Sequence, residues 1–186
     1  MNLDEVVTII TQANIDKYPI LIGIDGFGGS GKSTIAEKLR LELDDATVIG
    51  IDDFIVKERL LEESAEEVLF DRRRLENQVL KPLSRGEIAR YQKLNWVENR
   101  LEEPIELKRT KYVIVEGIST LHPEISGYYD FKIWVDAPVD VAKQRGKQRD
   151  AGNENEAHWD VWSSNDVAYQ SKYHPELIAD FIIKNP

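Results

Sequence analysis

Eight consecutive residues near the N-terminus have the spacing of a phosphate-binding loop. They fit the pattern Gly-x-x-x-x-Gly-Lys-Ser, and in order they are Gly26, Phe27, Gly28, Gly29, Ser30, Gly31, Lys32 and Ser33. Glycine has no Cβ, so the backbone can curl until successive N–H groups point at the oxygens of a phosphate. The lysine can reach the β- and γ-phosphates of a nucleotide, and the hydroxyl that follows it can ligate Mg²⁺. The pattern therefore predicts a site for a nucleoside triphosphate with its magnesium ion.

Acidic side chains form a second group of interest, because each stands directly after a short apolar run. Asp52 and Asp53 follow one run, and Glu116 and Asp136 follow two later ones. Carboxylates near a bound nucleotide can hold Mg²⁺ or orient a hydroxyl group that attacks a phosphate. Apolar runs that end repeatedly in acid or glycine are typical of a functional site.

Apolar runs alternate with helical periodicity along the chain. Four runs have the character of strands buried on both faces, at 20–24, 47–51, 112–115 and 131–135, and 177–183 is a fifth candidate. Helical spacing of apolar residues occurs at 3–13, 32–43, 57–85 and 139–149. This alternation predicts a parallel sheet with helices on both faces, and ligands bind at the carboxyl ends of such strands. The loop and the acids named above are therefore expected along one edge.

The composition is typical of a soluble single domain. The 186 residues suffice for one domain with one core, and the net charge of −10 disfavours nucleic-acid and anionic-membrane partners. Cysteine is absent, which excludes disulfides and cysteine-ligated metals. The N-terminus lacks the features of a signal peptide, and no apolar run is long enough to cross a membrane. We therefore expect a cytoplasmic protein, and nothing in the sequence indicates its oligomeric state.

The loop alone does not separate the classes of nucleotide-binding protein, but other segments do. The guanine-reading motif Asn-Lys-x-Asp and the signature Leu-Ser-Gly-Gly are both absent, which disfavours a GTPase and an ABC-type ATPase. Informative segments lie at 26–34, 51–54, 70–71, 91–96 and 115–118. In their order and spacing they resemble the uridine kinase and phosphoribulokinase family, most closely its short bacterial uridine kinase-like branch. The resemblance extends from about residue 20 to residue 183.

The resemblance implies both a fold and an activity. The fold is the three-layer α/β/α arrangement of the P-loop NTPases, with a five-stranded parallel sheet in a single domain of residues 1–186. A helical insertion at about 55–105 would bind the acceptor, and a short lid would span about 143–158. The implied enzyme is a phosphotransferase with an alcohol group as acceptor. It would use ATP and Mg²⁺ and move the γ-phosphate to a hydroxyl of a nucleoside-like small molecule.

The resemblance also assigns roles on the donor side. The loop, continued by Thr34, would bind the nucleotide, with Lys32 as a catalytic cation and Ser33 as a magnesium ligand. Asp52 corresponds to the family's base and is also a candidate magnesium ligand, and Glu116 corresponds to the acid that holds Mg²⁺ through water. Arg145 and Arg149 lie four residues apart on a predicted helix and correspond to lid arginines that contact the transferring phosphates. The simpler interpretations are a helix cap for Asp52, a strand-end acid for Glu116 and solvated charges for the arginines.

The acceptor side departs from the family pattern. Asp53 replaces a family serine, and could join the metal shell or face solvent. Asp71 resembles an acid that binds ribose hydroxyls, although it could instead cap a helix. Tyr91 is a candidate pocket residue of lower rank. Asn95 could bond a base edge or a hydroxyl and Trp96 could stack on a flat ring, where the family has Tyr-Asp-Phe.

Two alternatives to a nucleoside kinase stay open. The same fold could act on another alcohol, such as pantothenate, a sugar acid or a sugar phosphate, and the segment 90–100 would decide this. A protein of another class could bind ATP for regulation without transferring phosphate. The presence of Lys32, Ser33, Asp52 and Glu116 counts against it, because a degenerate site tends to lose charged residues whose burial is costly.

Overall fold

The computed structural model describes residues 1–56, 58 and 69–186. The helical periodicity predicted between residues 57 and 68, with its runs of charged residues, therefore lies almost entirely outside the described residues. The described residues form an α/β fold with a central parallel sheet, as predicted.

The sheet has five parallel strands. They are β1 (Ile20–Gly26), β2 (Ala46–Gly50), β3 (Tyr112–Glu116), β4 (Phe131–Asp136) and β5 (Phe181–Lys184), in the spatial order β2-β3-β1-β4-β5. The register aligns Glu116 of β3 with Ile24 of β1 on one side and with Gly50 of β2 on the other. The carboxyl ends of these three strands therefore meet at one edge of the sheet.

The last strand begins later than the sequence indicates. We predicted a strand at 177–183, whereas Pro175–Ile178 form a short helix and β5 follows it at Phe181. Proline is favoured in the first turn of a helix because its fixed φ suits that position. The other four strands lie within two residues of their predicted bounds.

Helices and loops cover both faces of the sheet. Helices α1 (Leu3–Gln12) and α2 (Lys32–Glu42) pack on one face, and α3 (Val139–Arg149) and α4 (Trp159–Tyr173) follow β4. Side chains of a strand alternate between faces, so Leu21 of β1 belongs to one core while Ile22 and Ile24 belong to the other. Short 3-10 turns occur at Ile51–Phe54, Ser126–Tyr128 and Glu156–His158.

The segment between β2 and β3 is only partly helical. Helical residues run through Arg72–Leu75, a π-turn at Glu76–Leu80 and Lys81–Ser84. Short antiparallel strands follow: Arg90–Tyr91 pairs with Ile105–Glu106, and Leu94–Asn95 pairs with Arg100–Leu101. The sequence predicted a helical insertion here and did not predict this hairpin, whose paired segments are too short to show an alternating pattern.

No helix in the described ranges combines the length and the apolar character that crossing a bilayer requires.

Candidate active site

The loop between β1 and α2 is shaped by glycines in conformations that other residues rarely adopt. Gly29 has a φ of 78° and Gly31 a φ of 96°. A Cβ on Gly29 would lie 2.0 Å from the carbonyl oxygen of Ala142, so α3 approaches the loop too closely for any side chain there. Gly31 caps α2 without a side-chain acceptor, which leaves the N–H groups of the first turn, including Thr34, for an anion.

Lys32 begins α2 and folds back over the loop. Its Nζ donates a hydrogen bond of 2.8 Å to the carbonyl oxygen of Phe27, and the residue is only 7% exposed. The lysine charge lowers the pKa of four carboxyl groups, yet burial raises all four overall: Asp25, Asp52, Glu116 and Asp166. Lys32 is therefore a cation that acts on all four of these carboxyl groups.

Asp52 and Glu116 lie at neighbouring strand ends beside Lys32. Glu116 accepts a hydrogen bond from the Ser33 hydroxyl, and the nearby charge of Asp52 contributes to its raised pKa. Asp52 lies in the 3-10 turn after β2, where the surrounding protein raises its pKa and the charges of Lys32 and Arg149 oppose that rise. Ser33, Asp52 and Glu116, the three predicted magnesium ligands, are thus brought together.

The two arginines of α3 have different neighbours. The charge of Arg149 acts on Asp52, and its guanidinium group pairs with Asp150 at 3.1 Å. Arg145 instead donates hydrogen bonds to the carbonyl oxygens of Asn185 and Pro186. The side-chain amide of Asn185 in turn donates a hydrogen bond of 2.7 Å to the carbonyl oxygen of Ser30. We predicted that both arginines contact the transferring phosphates. The charge of Arg149 acts on Asp52, and the roles of both arginines stay predictions.

A buried polar network under the loop was not predicted from the sequence. Asp25, the residue before the loop, accepts hydrogen bonds from the N–H groups of Gly26, Ser119 and Leu121 and from the Tyr169 hydroxyl. Its exposed fraction is 0%, and burial raises its pKa. The acid directly after the apolar run at 20–24, immediately before the loop, was the only sequence signal for this network.

Comparison with known proteins shows the family of this chain. A uridine kinase of Clostridium botulinum (strain Okra / Type B1) is 32% identical over 144 residues, which cover 72% of this chain and 70% of that protein. The chain belongs to the uridine kinase family of P-loop kinases. No protein-family model matches the sequence.

Solved structures agree with the family in fold. A possible uridine kinase from Bacillus stearothermophilus aligns with a TM-score of 0.74 at 20% identity, over 97% of this chain and 96% of that one. A D-glycerate 3-kinase from Cryptococcus neoformans var. grubii serotype A aligns with a TM-score of 0.61 at 11% identity, over 98% and 95%. These similarities concern the fold alone.

The residues predicted to contact the acceptor fall into two groups. Tyr91 stacks on Phe54 with ring centroids 5.8 Å apart, and burial, followed by the charge of Asp53, raises its pKa to about 12. The Asp53 carboxylate lies 3.9 Å from Lys93 Nζ, and burial raises its pKa. Asp71 caps the helix that follows it, because its side chain accepts a hydrogen bond from the N–H of Arg74. This is the helix-cap role that the sequence offered as the alternative to ribose binding.

The other two candidates, Asn95 and Trp96, lie in the hairpin. The side-chain oxygen of Asn95 accepts from the N–H groups of Val97 and Glu98, so it stabilises the hairpin turn. Trp96 is 41% exposed. The structure therefore places Asp53, Asp71 and Tyr91 around Phe54 and Arg74, while Asn95 and Trp96 belong to the turn that the hairpin forms.

Proposed function

We propose that this protein is an ATP-dependent kinase that transfers the γ-phosphate to a hydroxyl group of a nucleoside-like small molecule. The observation that carries the proposal is the convergence of Lys32, Ser33, Asp52 and Glu116 at the end of the phosphate-binding loop. These residues come from two strand ends and one helix start. That arrangement supplies both a phosphate cradle and the acidic groups that phosphoryl transfer uses.

The site fits a nucleotide with Mg²⁺. The loop offers backbone N–H groups at a helix start, and Ser33, Asp52 and Glu116 offer oxygen ligands of the kind Mg²⁺ prefers. Among the described residues, no three His, Cys, Asp or Glu side chains are grouped as a metal site. Mg²⁺ usually keeps several water ligands, so phosphate and water oxygens would complete its shell here. Bound there, Mg²⁺ would neutralise phosphate charge.

Lys32 and Asp52 have complementary roles in the proposed reaction. Lys32, held over the loop by its bond to Phe27, would neutralise charge on the β- and γ-phosphates. Asp52 would accept a hydrogen bond from the acceptor hydroxyl and hold its proton during transfer. Burial raises the pKa of Asp52 from its ordinary range, which makes its carboxylate a better proton acceptor.

The arginines and the acceptor residues complete the proposal. Arg149, whose charge acts on Asp52, would contact the transferring phosphoryl group. Arg145 binds the carbonyl oxygen of Asn185, whose side chain contacts Ser30 of the loop, and would act from there. Asp53, Asp71 and Tyr91 would contact the acceptor, together with Asn95 and Trp96 of the hairpin.

A nucleoside-like acceptor is favoured because the curated relative named uridine kinase matches across most of its own length. Another alcohol, such as a sugar acid, stays the second candidate because Asn95 and Trp96 stand where the family has its acceptor-binding pattern. A regulatory protein without transfer activity is the third, and the intact Lys32, Asp52 and Glu116 oppose it.

An ADP-release assay against a panel of acceptors tests the proposal. The panel contains uridine, cytidine, D-glycerate, pantothenate and a sugar phosphate, each with Mg-ATP. We expect a nucleoside to stimulate ADP release most. Stimulation by D-glycerate or pantothenate alone would support the second candidate. Binding of Mg-ATP without stimulation by any acceptor would support the regulatory alternative.

A further inference from the structure

Helix α4 presents one buried face to the phosphate-binding loop. Trp159, Asp166 and Tyr169 have exposed fractions of 3%, 5% and 2%. Residues spaced by seven and by three return to the same side of a helix, so these side chains share one face. None of them belongs to the donor or acceptor residues assigned above.

The Asp166 carboxylate contacts the loop directly. Its Oδ2 accepts a hydrogen bond of 2.8 Å from the backbone N–H of Gly28, the third residue of the loop. Tyr169 lies one turn further along α4, and its hydroxyl donates a hydrogen bond of 2.7 Å to the carboxylate of Asp25. The same carboxylate accepts a hydrogen bond from the N–H of Gly26. The same helix face therefore holds the loop at two backbone positions.

Trp159 extends this contact to α3. Its ring covers Gly28, where an added Cβ would lie 3.0 Å from the ring, and its Nε1 donates 2.8 Å to Asp150. Asp150 pairs with Arg149, whose guanidinium carbon lies 5.4 Å from the centroid of the Trp159 ring. The face that carries Asp166 is thus joined to the end of α3 that carries Arg149.

A carboxylate is a costly choice for this buried position. Asp166 lies near the negative charges of Asp25 and Asp52, with Lys32 as the nearby cation, and burial raises its pKa to about 6. A neutral acceptor could satisfy one backbone N–H without bringing a third acid into this cluster. Acids retained at such cost are more frequent at functional sites than in ordinary cores.

We propose that Asp166 is a positioning residue whose contact with Gly28 fixes the phosphate-binding loop relative to the helix pair that carries Arg149. This role rests on the proposed function and deepens it, since it concerns how the nucleotide loop is held. Asp166 acts through Gly28 and does not itself touch the reacting atoms.

Two measurements test this role, and the first does not depend on a nucleotide. The first is amide hydrogen exchange in the intact, nucleotide-free proteins, followed in the segment 26–34. The wild type is compared with Asp166→Ala and with Asp166→Asn. The second measurement is the Kd for Mg-ATP by titration calorimetry. Asp166→Ala should accelerate exchange and raise the Kd, each about tenfold, because the loop loses a charge-assisted hydrogen bond. Asp166→Asn keeps a carbonyl acceptor and should restore most of both values.

Asp130→Ala is the matched control. Asp130 also accepts a hydrogen bond of 2.8 Å from a backbone N–H group of β1, that of Leu21. This contact lies at the opposite end of the strand, and Asp130 forms an ion pair there with Lys17. Its removal should change neither readout in the loop. If Asp166→Ala does not fold, Asp166→Ser replaces it, because the serine oxygen lies one bond closer to the helix and leaves Gly28 without its acceptor.

The outcomes separate the two proposals. The positioning role would be overturned if Asp166→Ala, or Asp166→Ser in its place, kept the exchange rate and the Kd of the wild type. It would also be overturned if Asp130→Ala changed both values as much as the Asp166 variant does. Failure of Asp166→Asn to rescue either readout would also count against a role that depends on the hydrogen bond. Absence of Mg-ATP binding by the folded wild type would overturn the proposed function, whereas the exchange result would still decide how the loop is held.

Discussion

The hydroxyl of Tyr169 donates a hydrogen bond of 2.7 Å to the carboxylate of Asp25, a residue 144 positions earlier in the chain. The bond joins α4 to the end of the central strand β1, directly before the phosphate-binding loop. Asp25 is fully buried and its other partners are backbone N–H groups. Burial, together with the charge of Asp25, raises the pKa of Tyr169, so the hydroxyl keeps its proton and serves as a donor.

Removing this hydroxyl should destabilise the fold. We expect Tyr169→Phe to lower the free energy of unfolding by about 1–3 kcal/mol, because a buried carboxylate loses one donor. Tyr129→Phe is the control, since the buried Tyr129 hydroxyl has no hydrogen-bond partner among the described residues. It should be neutral or slightly stabilising. Urea unfolding of both variants checks this, and equal stabilities would contradict the importance of the Tyr169 bond.

Replacement of Asp52 should affect chemistry more than nucleotide binding. Asp52→Asn keeps the size of the side chain but removes its ability to accept a proton, so kcat should fall about 10²–10⁴-fold. The KM for ATP should change little. Asp53→Asn provides the comparison, because the Asp53 carboxylate lies near Lys93 rather than Lys32. Steady-state kinetics with a nucleoside acceptor measure kcat and KM for both variants. Turnover close to that of the wild type in Asp52→Asn would show that Asp52 does not accept the proton.

The raised pKa of Asp166 predicts that the stability of the fold depends on pH. Its pKa is about 6 in the folded protein against an ordinary value of 3.8, so between these values the folded state binds more protons than the unfolded state. Stability from this group is therefore present at low pH and is lost as pH rises through about 6. The groups facing it are Lys32, Asp25 and Asp52.

Comparison with Asp166→Asn isolates this contribution, because the other buried acids titrate in both proteins. From about pH 4 to about pH 7.5, the wild type should lose up to about 3 kcal/mol of stability relative to Asp166→Asn. Chemical unfolding at several pH values measures the difference. A difference that is independent of pH would show that the carboxyl group titrates normally.

Packing between α3 and α4 gives a prediction that does not depend on any ligand. A Cβ on Gly146 would lie 2.3 Å from the Trp159 ring, so Gly146→Ala must displace that ring and should cost about 1–3 kcal/mol. Gly127→Ala is the control, because a Cβ there would meet no atom within 4 Å. Thermal unfolding compares the two variants. Equal melting temperatures would mean that Trp159 is not packed on α3 as described.

Local sequence patterns predicted the loop, four of the strands and the grouping of Asp52 with Glu116. Such features depend on neighbours in the chain: glycine spacing before a lysine, or an acid after an apolar run. Asp166 could not be found in this way, because its contact with Gly28 joins residues 138 positions apart. The hairpin at 90–106 was missed because its paired segments are only two residues long.

The arginines show a different limit of sequence reasoning. Spacing by four correctly placed Arg145 and Arg149 on one helix. The two long side chains nevertheless reach different partners, the backbone at Asn185 and the carboxylate of Asp150. Periodicity gives the face of a helix, whereas the destination of a flexible side chain depends on the tertiary arrangement.

Transfer of the γ-phosphate itself tests the central claim most directly. The protein is incubated with Mg²⁺ and ATP labelled in the γ-phosphate, with uridine or cytidine as acceptor, and the products are separated and identified by mass spectrometry. We predict a labelled nucleoside monophosphate from the wild type, and a yield reduced at least about 100-fold in Lys32→Ala, which loses the cation over the loop. A folded wild-type protein that binds Mg-ATP but transfers no label to either nucleoside would contradict the proposed function.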